Sequence, residues 1–489
     1  MRQDSLIKKD YNFNINISFD TKTSITERTL KVSDAFGLGI KDNFHFVVYK
    51  DFNISFSLGD VIYVTGDSGG GKSLLLNYIK SKLTEQGETI FDLDIPDNDE
   101  ILIESIGKDE NEAVEYLSVM GLNDAFIFLR KYCELSDGQK YRYRLAKLLS
   151  KSPKFIFIDE FSANLDRTTA KVISYNLQKV ARNKKIATFL ATTHRDLEYD
   201  LNASVLVDKK YMNEVVIKYF EPVKRKISFY NDVFISQSCI HEYDKLAKFH
   251  YKDTTKDFPY SKIYKATYNG ELVGVIVYSP PFLQNKGRNI KFENKYSKMT
   301  KEVTTDINKL FIRISRVVIS PKYRACGLGQ KILQESIDNI TDKKYFEMIS
   351  VMGKYNPFAD KIGMEKIELN EDDTSAFKNI DKFLKTHNCI IEKIHNETYF
   401  KEFLNNLNEQ DKNELKCVVS KGLIHPKLGI SGKNGRREGI VEEQLRYSNT
   451  DFEILKQNII DNIVKLYSGK TIYYILENKN YEEDYGFIK

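Results

Sequence analysis

The sequence predicts an α/β fold at its N-terminal end, an α+β domain in the middle and a mainly helical C-terminal region. Three observations carry that division. The apolar run Val61-Ile-Tyr-Val-Thr65 leads directly into Gly66-Asp-Ser-Gly-Gly-Gly-Lys72-Ser73, which fits the phosphate-loop pattern G-x-x-x-x-G-K-[ST]. Two further continuous apolar runs, Phe155–Ile158 and Ala187–Thr193, read as strands buried on both faces. From about residue 262 the pattern changes to a hairpin signal, then a strand, a glycine-containing turn and a helix.

The chain has 489 residues, enough for two to four domains with cores of their own. Hydrophobic residues make up 41% and charged residues 29%, the balance of an ordinary globular protein. A net charge of +5 over this length is mild, so a nucleic-acid reading has to rest on local clusters. The five cysteines (Cys133, Cys239, Cys326, Cys389, Cys417) are widely spaced and form no CxxC, which points to free thiols in a reducing compartment rather than a zinc site. The N-terminal segment Met1–Asp10 lacks an apolar export core, and no stretch reaches the roughly 20 apolar residues of a membrane helix. The expectation is a soluble, cytoplasmic protein.

Taken in order, Asn14–Phe19 alternates like a strand, and Phe46–Tyr49 with Phe52–Phe56 are β-rich runs before the phosphate loop. Phe36 and Phe44 lie where a ring could stack on adenine, with a core position as the alternative for each. In the loop, Gly66, Ser68, Gly69, Gly70 and Gly71 let successive N–H groups turn inward around phosphates. Lys72 brings a point charge to the β- and γ-phosphates, and the Ser73 hydroxyl is placed to ligand Mg²⁺. Leu74–Ile79 reads as a helix whose positive end faces the phosphates. Asn111–Arg130 has helical spacing. Ser136 in Leu135-Ser-Asp-Gly-Gln139 is a good N-cap for the amphipathic run Tyr141–Leu149. The strand Phe155–Ile158 ends in Asp159-Glu160, and strand ends are where α/β sheets place ligands. Ser162-Ala-Asn-Leu-Asp166 follows, and the strand Ala187–Thr193 delivers His194.

This order of motifs resembles the nucleotide-binding domain of ABC-type ATPases over roughly residues 30–210. The resemblance implies that ATP and Mg²⁺ are cofactors, that Asp159 helps hold Mg²⁺ through water, and that Glu160 orients the attacking water. It implies that His194 contacts the γ-phosphate, that Asp166 ties two sites together, and that Ser136 and Gly138 complete the site of a facing protomer. One such domain per chain then implies a nucleotide-dependent homodimer. The sequence departs from the family in having Asp137 in the signature and no recognisable glutamine loop, Glu104 being the nearest stand-in. The short spacer between Ser73 and Leu135 argues against a membrane partner and transport.

The strand–helix rhythm ends near Glu221–Lys226, so domains are expected at 1–221, 222–370 and 371–489. Lys262–Tyr268 and Glu271–Tyr278 flank Asn269-Gly270, a type I′ hairpin signal. Phe311–Ile319 reads as a strand, followed by Arg324-Ala-Cys-Gly327-Leu-Gly329 and a helical run Gln330–Ile340. With the strand Tyr345–Met352 and the segment Asn356–Met364, this part resembles a GNAT acetyltransferase. The resemblance implies acetyl-CoA as cofactor, pantetheine along Val317, Val318 and Ile319, and its pyrophosphate on Arg324, Gly327 and Gly329. Where such enzymes commonly have a tyrosine acid, this chain has Ala359; Tyr355, Ser315 and Arg316 are the nearby polar candidates and Glu347 a further one.

Lys286–Lys298 and Ser420–Arg437 are basic stretches that suit either a nucleic-acid surface or a solvated loop. Residues 371–489 otherwise read as helical, with Phe377, Ile380, Phe383, Leu384, Ile459, Ile460, Ile463 and Leu466 at core spacing and a late strand at Thr471–Leu476. The sequence thus leads to an ATP hydrolase joined to an acetyltransferase with a macromolecular, preferably nucleic-acid, substrate. A mechanical ATPase carrying a non-catalytic binding domain is the alternative.

Overall fold

The computed structural model describes residues 10–22, 24–37, 43–211, 213–249, 258–350, 358–369, 375–422, 444–467 and 472–482. The chain opens with β1 (Tyr11–Lys22), α1 (Glu27–Ala35) and β2 (Asn43–Phe56). β1 and β2 pair antiparallel from Tyr11 opposite Phe56 to Lys22 opposite Asn43, so the two β-rich runs before the loop are one strand. Next come β3 (Val61–Gly66), α2 (Lys72–Glu85), α3 (Glu110–Val119), α4 (Ala125–Phe128) and α5 (Asp137–Ser150). The single helix expected over 111–130 is broken, because Gly121 takes φ +75° and ends α3. Then follow β4 (Phe155–Ile158), α6 (Arg167–Asn183), β5 (Ala187–Ala191), α7 (Glu198–Leu201), β6 (Val205–Lys209) and β7 (Val215–Tyr219).

These strands form a five-stranded sheet in the order β4-β5-β3-β6-β7. β3 runs parallel to β5 and β6, β4 parallel to β5, and β7 closes the edge antiparallel to β6. β4, β5, Val61–Val64 of β3 and Val205–Val207 of β6 read as nearly continuous apolar sequence because both faces are covered. Ile62 and Val64 join the core with β2 and α2, whereas Val61 and Tyr63 join the core with α3, α5 and α6.

The second half holds β8 (Phe234–Gln237), α8 (Ile240–Leu246), β9 (Lys262–Tyr268), β10 (Glu271–Ser279), α9 (Lys286–Lys291), α10 (Lys301–Leu310), β11 (Phe311–Ile319) and α11 (Leu328–Asp338). β12 (Tyr345–Ser350), β13 (Glu365–Glu368), α12 (Ser375–Thr386), α13 (Glu397–Asn405), α14 (Glu409–Gly422), α15 (Phe452–Tyr467) and β14 (Ile472–Glu477) complete it. The β9–β10 hairpin turns at Asn269 and Gly270, both left-handed at φ +48° and +79°, as a type I′ turn requires.

The chain divides into two compact units: residues 1–280, 314–342 and 480–489, and residues 281–313 with 343–479. That division differs from the expected boundaries near 221 and 370. β8, β9, β10 and residues 314–319 of β11 lie side by side in the first unit. In the second, residues 311–313 of β11 are followed by β12, β14 and β13, with β14 antiparallel to both neighbours. The helices α12–α15 pack around Ile380, Phe383, Leu384, Phe400, Leu404 and Ile459, which supports the helical reading of this region. Among the described residues no helix is long and apolar enough to cross a membrane.

Candidate functional site

Three C-terminal strand ends converge in the first unit. β3 delivers Gly66–Ser73, β4 delivers Asp159 and Glu160, and His194 stands three residues past the end of β5. Two loop positions demand glycine. Gly66 sits at φ +130°, and a Cβ there would lie 1.9 Å from the Lys209 carbonyl oxygen. Gly71, at φ +96°, caps α2, and its Cβ would lie 2.5 Å from Val48 Cγ1. Ser68 and Gly69 are exposed, and Gly70 is buried beneath them. Lys72 folds back over the loop: Nζ donates to the carbonyls of Gly66 (3.1 Å) and Asp67 (2.7 Å). Burial pulls its pKa below the ordinary lysine value, opposed by the carboxylates of Asp159 and Asp67. Ser73 is exposed in the first turn of α2.

Asp159 and Glu160 are both exposed, and Asp159 Oδ1 accepts from the Glu160 N–H at 2.9 Å. Glu160 (φ +51°) and Ser162 (φ +65°) are left-handed without being glycine, a strain of the kind that accumulates at functional turns. The Ser162 N–H donates to the Tyr141 hydroxyl (3.2 Å), which ties this turn to α5. Asp166 caps α6 through the Thr169 N–H (3.1 Å) and hydroxyl (2.6 Å). Burial works against its ionisation, but the Thr169 donors prevail and hold the carboxyl below its usual range. The His194 backbone is pinned from both sides. Its carbonyl accepts from the hydroxyls of Tyr63 and Thr65, and its N–H donates to Thr192 Oγ1 at 3.2 Å. Ser136 is exposed at the start of α5, where its N–H donates to Gln139 Oε1 (3.0 Å). A Cβ on Gly138 would lie 3.4 Å from the Asn164 carbonyl oxygen, so α5 begins close against the turn that follows β4.

The donor set suits a triphosphate with Mg²⁺. A hydroxyl and one carboxylate, Ser73 and Asp159, are the hard oxygen ligands with which Mg²⁺ keeps several waters and the phosphate oxygens. Among the described residues no cluster of three His, Cys, Asp or Glu side chains could hold a metal unaided.

The segment after β11 is arranged differently from expectation. Gly327 is left-handed (φ +94°) and caps α11, with Gly329 in the first turn, as an anion-binding helix start requires. The Arg324 guanidinium, however, is occupied by carbonyls. Nε donates to Ile319 (2.7 Å), Nη1 to Asn123 (3.0 Å) and Nη2 to Phe249 (3.1 Å). Val317 is half-buried, whereas Val318 and Ile319 are buried. Arg316 stacks on Phe258 (5.0 Å to the ring centre) and donates to the Ser315 carbonyl (2.8 Å). Ser315 Oγ donates to the Val277 carbonyl (2.9 Å). Tyr355 lies outside the described residues, and Ala359 is buried. Glu347 is no free base: both it and Arg288 are wholly buried, 2.6 Å apart, and the Tyr473 hydroxyl donates to the same carboxylate (3.0 Å). Arg288 comes from the basic stretch 286–298, which is therefore part core and not simply a solvated face. Residues 423–437 of the second basic stretch lie outside the described residues.

Three residues near the phosphate loop escaped the sequence reading. Lys209 ends β6 beneath the loop, and the Tyr49 hydroxyl donates to the Gly71 carbonyl (3.1 Å). Phe46, stacked on Phe19 (5.7 Å) and 48% exposed, stands two residues before Val48, which touches Gly71. Phe36 is also exposed, at the end of α1. Their only sequence signal is their place near the loop, which is not a pattern.

No protein-family model matches the chain. Over 185 residues it is 29% identical to the lipoprotein-releasing system ATP-binding protein LolD of Wigglesworthia glossinidia brevipalpis, covering 30% of this chain and 80% of that protein. It is 29% identical over 185 residues to the methionine import ATP-binding protein MetN of Vibrio vulnificus (strain YJ016), covering 30% of this chain but only 53% of that protein. The LolD protein of Leptospira interrogans is 26% identical over 216 residues, with 37% of this chain and 90% of that protein covered. Phosphate loop, signature, Asp-Glu strand end and histidine stand in one order around one sheet, and over this N-terminal part the chain is similar to ABC-type ATP-binding proteins.

Proposed function

We propose that the chain is an ATP hydrolase whose cassettes close as a nucleotide-dependent homodimer, joined to an acetyl-CoA-dependent acetyltransferase that acts on a macromolecule, with nucleic acid preferred. The observation that carries the first part is the convergence of Lys72, Asp159, Glu160 and His194 at three neighbouring strand ends. Backbone amides of residues 68–71 and the Lys72 ammonium bind the phosphates. The Ser73 hydroxyl would ligand Mg²⁺ and Asp159 would help hold it through water, and the ion would supply neutralisation of phosphate charge. Glu160 orients the attacking water and accepts its proton, while His194 donates toward the γ-phosphate. Phe46 offers the exposed ring for the base. Ser136 and Gly138, exposed or half-exposed at the positive end of α5, meet the γ-phosphate of a second copy.

For the second half the support is topological. In the first unit the lateral order β8-β9-β10-β11, with a left-handed Gly327 opening α11 after β11, fits that part of a GNAT-like sheet with its pyrophosphate turn. Acetyl-CoA would supply an activated thioester; this chain's part is to seat its pyrophosphate on the amides that start α11. A second reading, a mechanical ATPase with a non-catalytic binding domain, is favoured by the occupied Arg324, the buried Ala359 and the locked Glu347.

One experiment separates the two readings. Calorimetry with acetyl-CoA, then transfer assays on RNA, DNA and protein pools, should give binding and transfer that Gly327→Glu abolishes. The new carboxylate sits where phosphates must sit, and like charges about 4 Å apart repel by roughly 4 kcal/mol at an effective dielectric of about 20. ATP hydrolysis should persist in that variant. Unaltered acetyl-CoA affinity in folded Gly327→Glu protein removes the acetyltransferase site, and binding without transfer to any pool favours the second reading.

A further inference from the structure

The turns after β4 and β5 are fastened together twice. Near the strands, the Phe161 N–H donates to the Ala191 carbonyl (2.8 Å) and joins the roots of the two turns. Their far ends are joined by an ion pair. Arg167, the first residue of α6, follows Asp166 directly, and Asp196 stands two residues past His194. The guanidinium grips the carboxylate with two nitrogens: Nε donates to Oδ2 at 3.1 Å, and Nη2 donates to Oδ1. Nη1 is buried without a hydrogen bond, so among the described residues the guanidinium gives its hydrogen bonds to Asp196. Burial works against ionisation of Asp196, but the Arg167 bonds and charge prevail and hold the carboxyl below its usual range. Both ends have firm footing: Ala170 and Ile173 of α6 sit in the core beyond Arg167, and so does Leu197 beyond Asp196. The two charges also act on the Tyr63 phenol, whose hydroxyl donates to the His194 carbonyl.

We propose that Arg167 and Asp196 are positioning residues: they lock the turn that carries Glu160 and Asp166 to the turn that carries His194, and so keep the attacking water and the γ-phosphate in register. The inference rests on the reading of this site as an ATPase. A two-bond contact between guanidinium and carboxylate fixes direction as well as distance. At 39% and 47% exposed, the pair contributes little to stability, so its effect falls on placement rather than on folding. Placement is enough to matter, since a shift of about 1 Å in a reacting geometry can cost on the order of a hundredfold in rate.

The test uses the full chain. Single-turnover ATP hydrolysis reads the chemical step, calorimetry on Glu160→Gln versions of each variant reads ATP affinity, and thermal melting checks folding. Arg167→Met and Asp196→Asn should each slow the hydrolysis step about tenfold while ATP affinity stays within about twofold. The double variant should be no slower than either single one, because the second change removes nothing further. Arg167→Lys keeps the charge without the planar fork, and its rate should fall between wild type and Arg167→Met. Losses that multiply in the double variant overturn the pairing. ATP affinity that falls as far as the rate overturns the positioning role, and a wild-type hydrolysis rate in both single variants overturns the proposal outright. Should Arg167→Met fail to fold, Asp196→Asn and Arg167→Lys decide: a slowed step at intact affinity supports the pair, and an unchanged step speaks against it. Wild-type protein that hydrolyses no ATP sinks the ATPase reading itself, a result distinct from hydrolysis that ignores Arg167 and Asp196.

Discussion

Glu160 is held in a backbone conformation that few glutamates adopt. At φ +51° it turns its side chain out from the end of β4, exposed, while Asp159 accepts its N–H (2.9 Å). That division of labour puts one carboxylate in a hydrogen bond to the turn and leaves the other for water. Under the proposed reading Glu160→Gln keeps the shape of the site and removes the proton acceptor. ATP binding should survive and hydrolysis should slow by about 10²–10⁴-fold, the usual scale of a general base. Phosphate release in single-turnover mixtures checks it, and a wild-type rate would show that the Asp159-Glu160 pair has been given the wrong roles. Lys72 makes the complementary point. Its ammonium rests on the loop's own carbonyls, so it is already near the place where phosphates would replace them.

At the scale of elements, the start of α5 is the informative one. Ser136 is exposed while Gly138 packs against the Asn164 carbonyl, so the helix end is fixed to its own cassette but faces outward. An outward helix N-terminus has a ready use in a second copy's phosphates. Glu160→Gln with ATP should therefore run as a dimer in light scattering and the apo protein as a monomer. Ser136→Arg, bulky and at the contact, should abolish that dimer; a dimer that forms without nucleotide and survives Ser136→Arg removes the motive for it. Elements with local signals were legible in the sequence: the phosphate loop, Asp159-Glu160 after four apolar residues, and the Asn269-Gly270 hairpin. What stayed hidden depends on partners distant in the chain. Nothing near Arg288 announces Glu347, 59 residues on, so a buried cation read as surface charge. Nothing near Ile472–Glu477 says that it pairs with both β12 and β13. The apolar periodicity over 111–130 continues past Gly121, but the left-handed backbone of that glycine ends the helix there.

At the scale of the molecule, the cassette and the turn before α11 belong to one compact unit, and Arg324 is a principal fastening between them. Its guanidinium bridges the end of β11 at Ile319, the Asn123 carbonyl between α3 and α4, and Phe249 after α8. Lys322, two residues earlier, helps hold the Asp166 carboxyl ionised, though more weakly than burial and Thr169 act on it. Five N–H donors in a rigid plane suit three carbonyls in a way that an ammonium cannot. Arg324→Lys should thus keep the charge but strand carbonyls, costing about 1–3 kcal/mol, visible as a lower melting temperature. The functional consequence follows from linkage. If the segment 324–329 seats acetyl-CoA and is fastened to the cassette, a ligand that shifts one must change the affinity of the other. Acetyl-CoA affinity measured on Glu160→Gln with and without ATP should differ by about fivefold or more, the lower end of ordinary coupling energies. Arg324→Lys should shrink that difference while both sites still bind. Equal acetyl-CoA affinity with and without ATP would mean that the fastening only stabilises the fold. A difference that survives Arg324→Lys unchanged would place the coupling in other contacts.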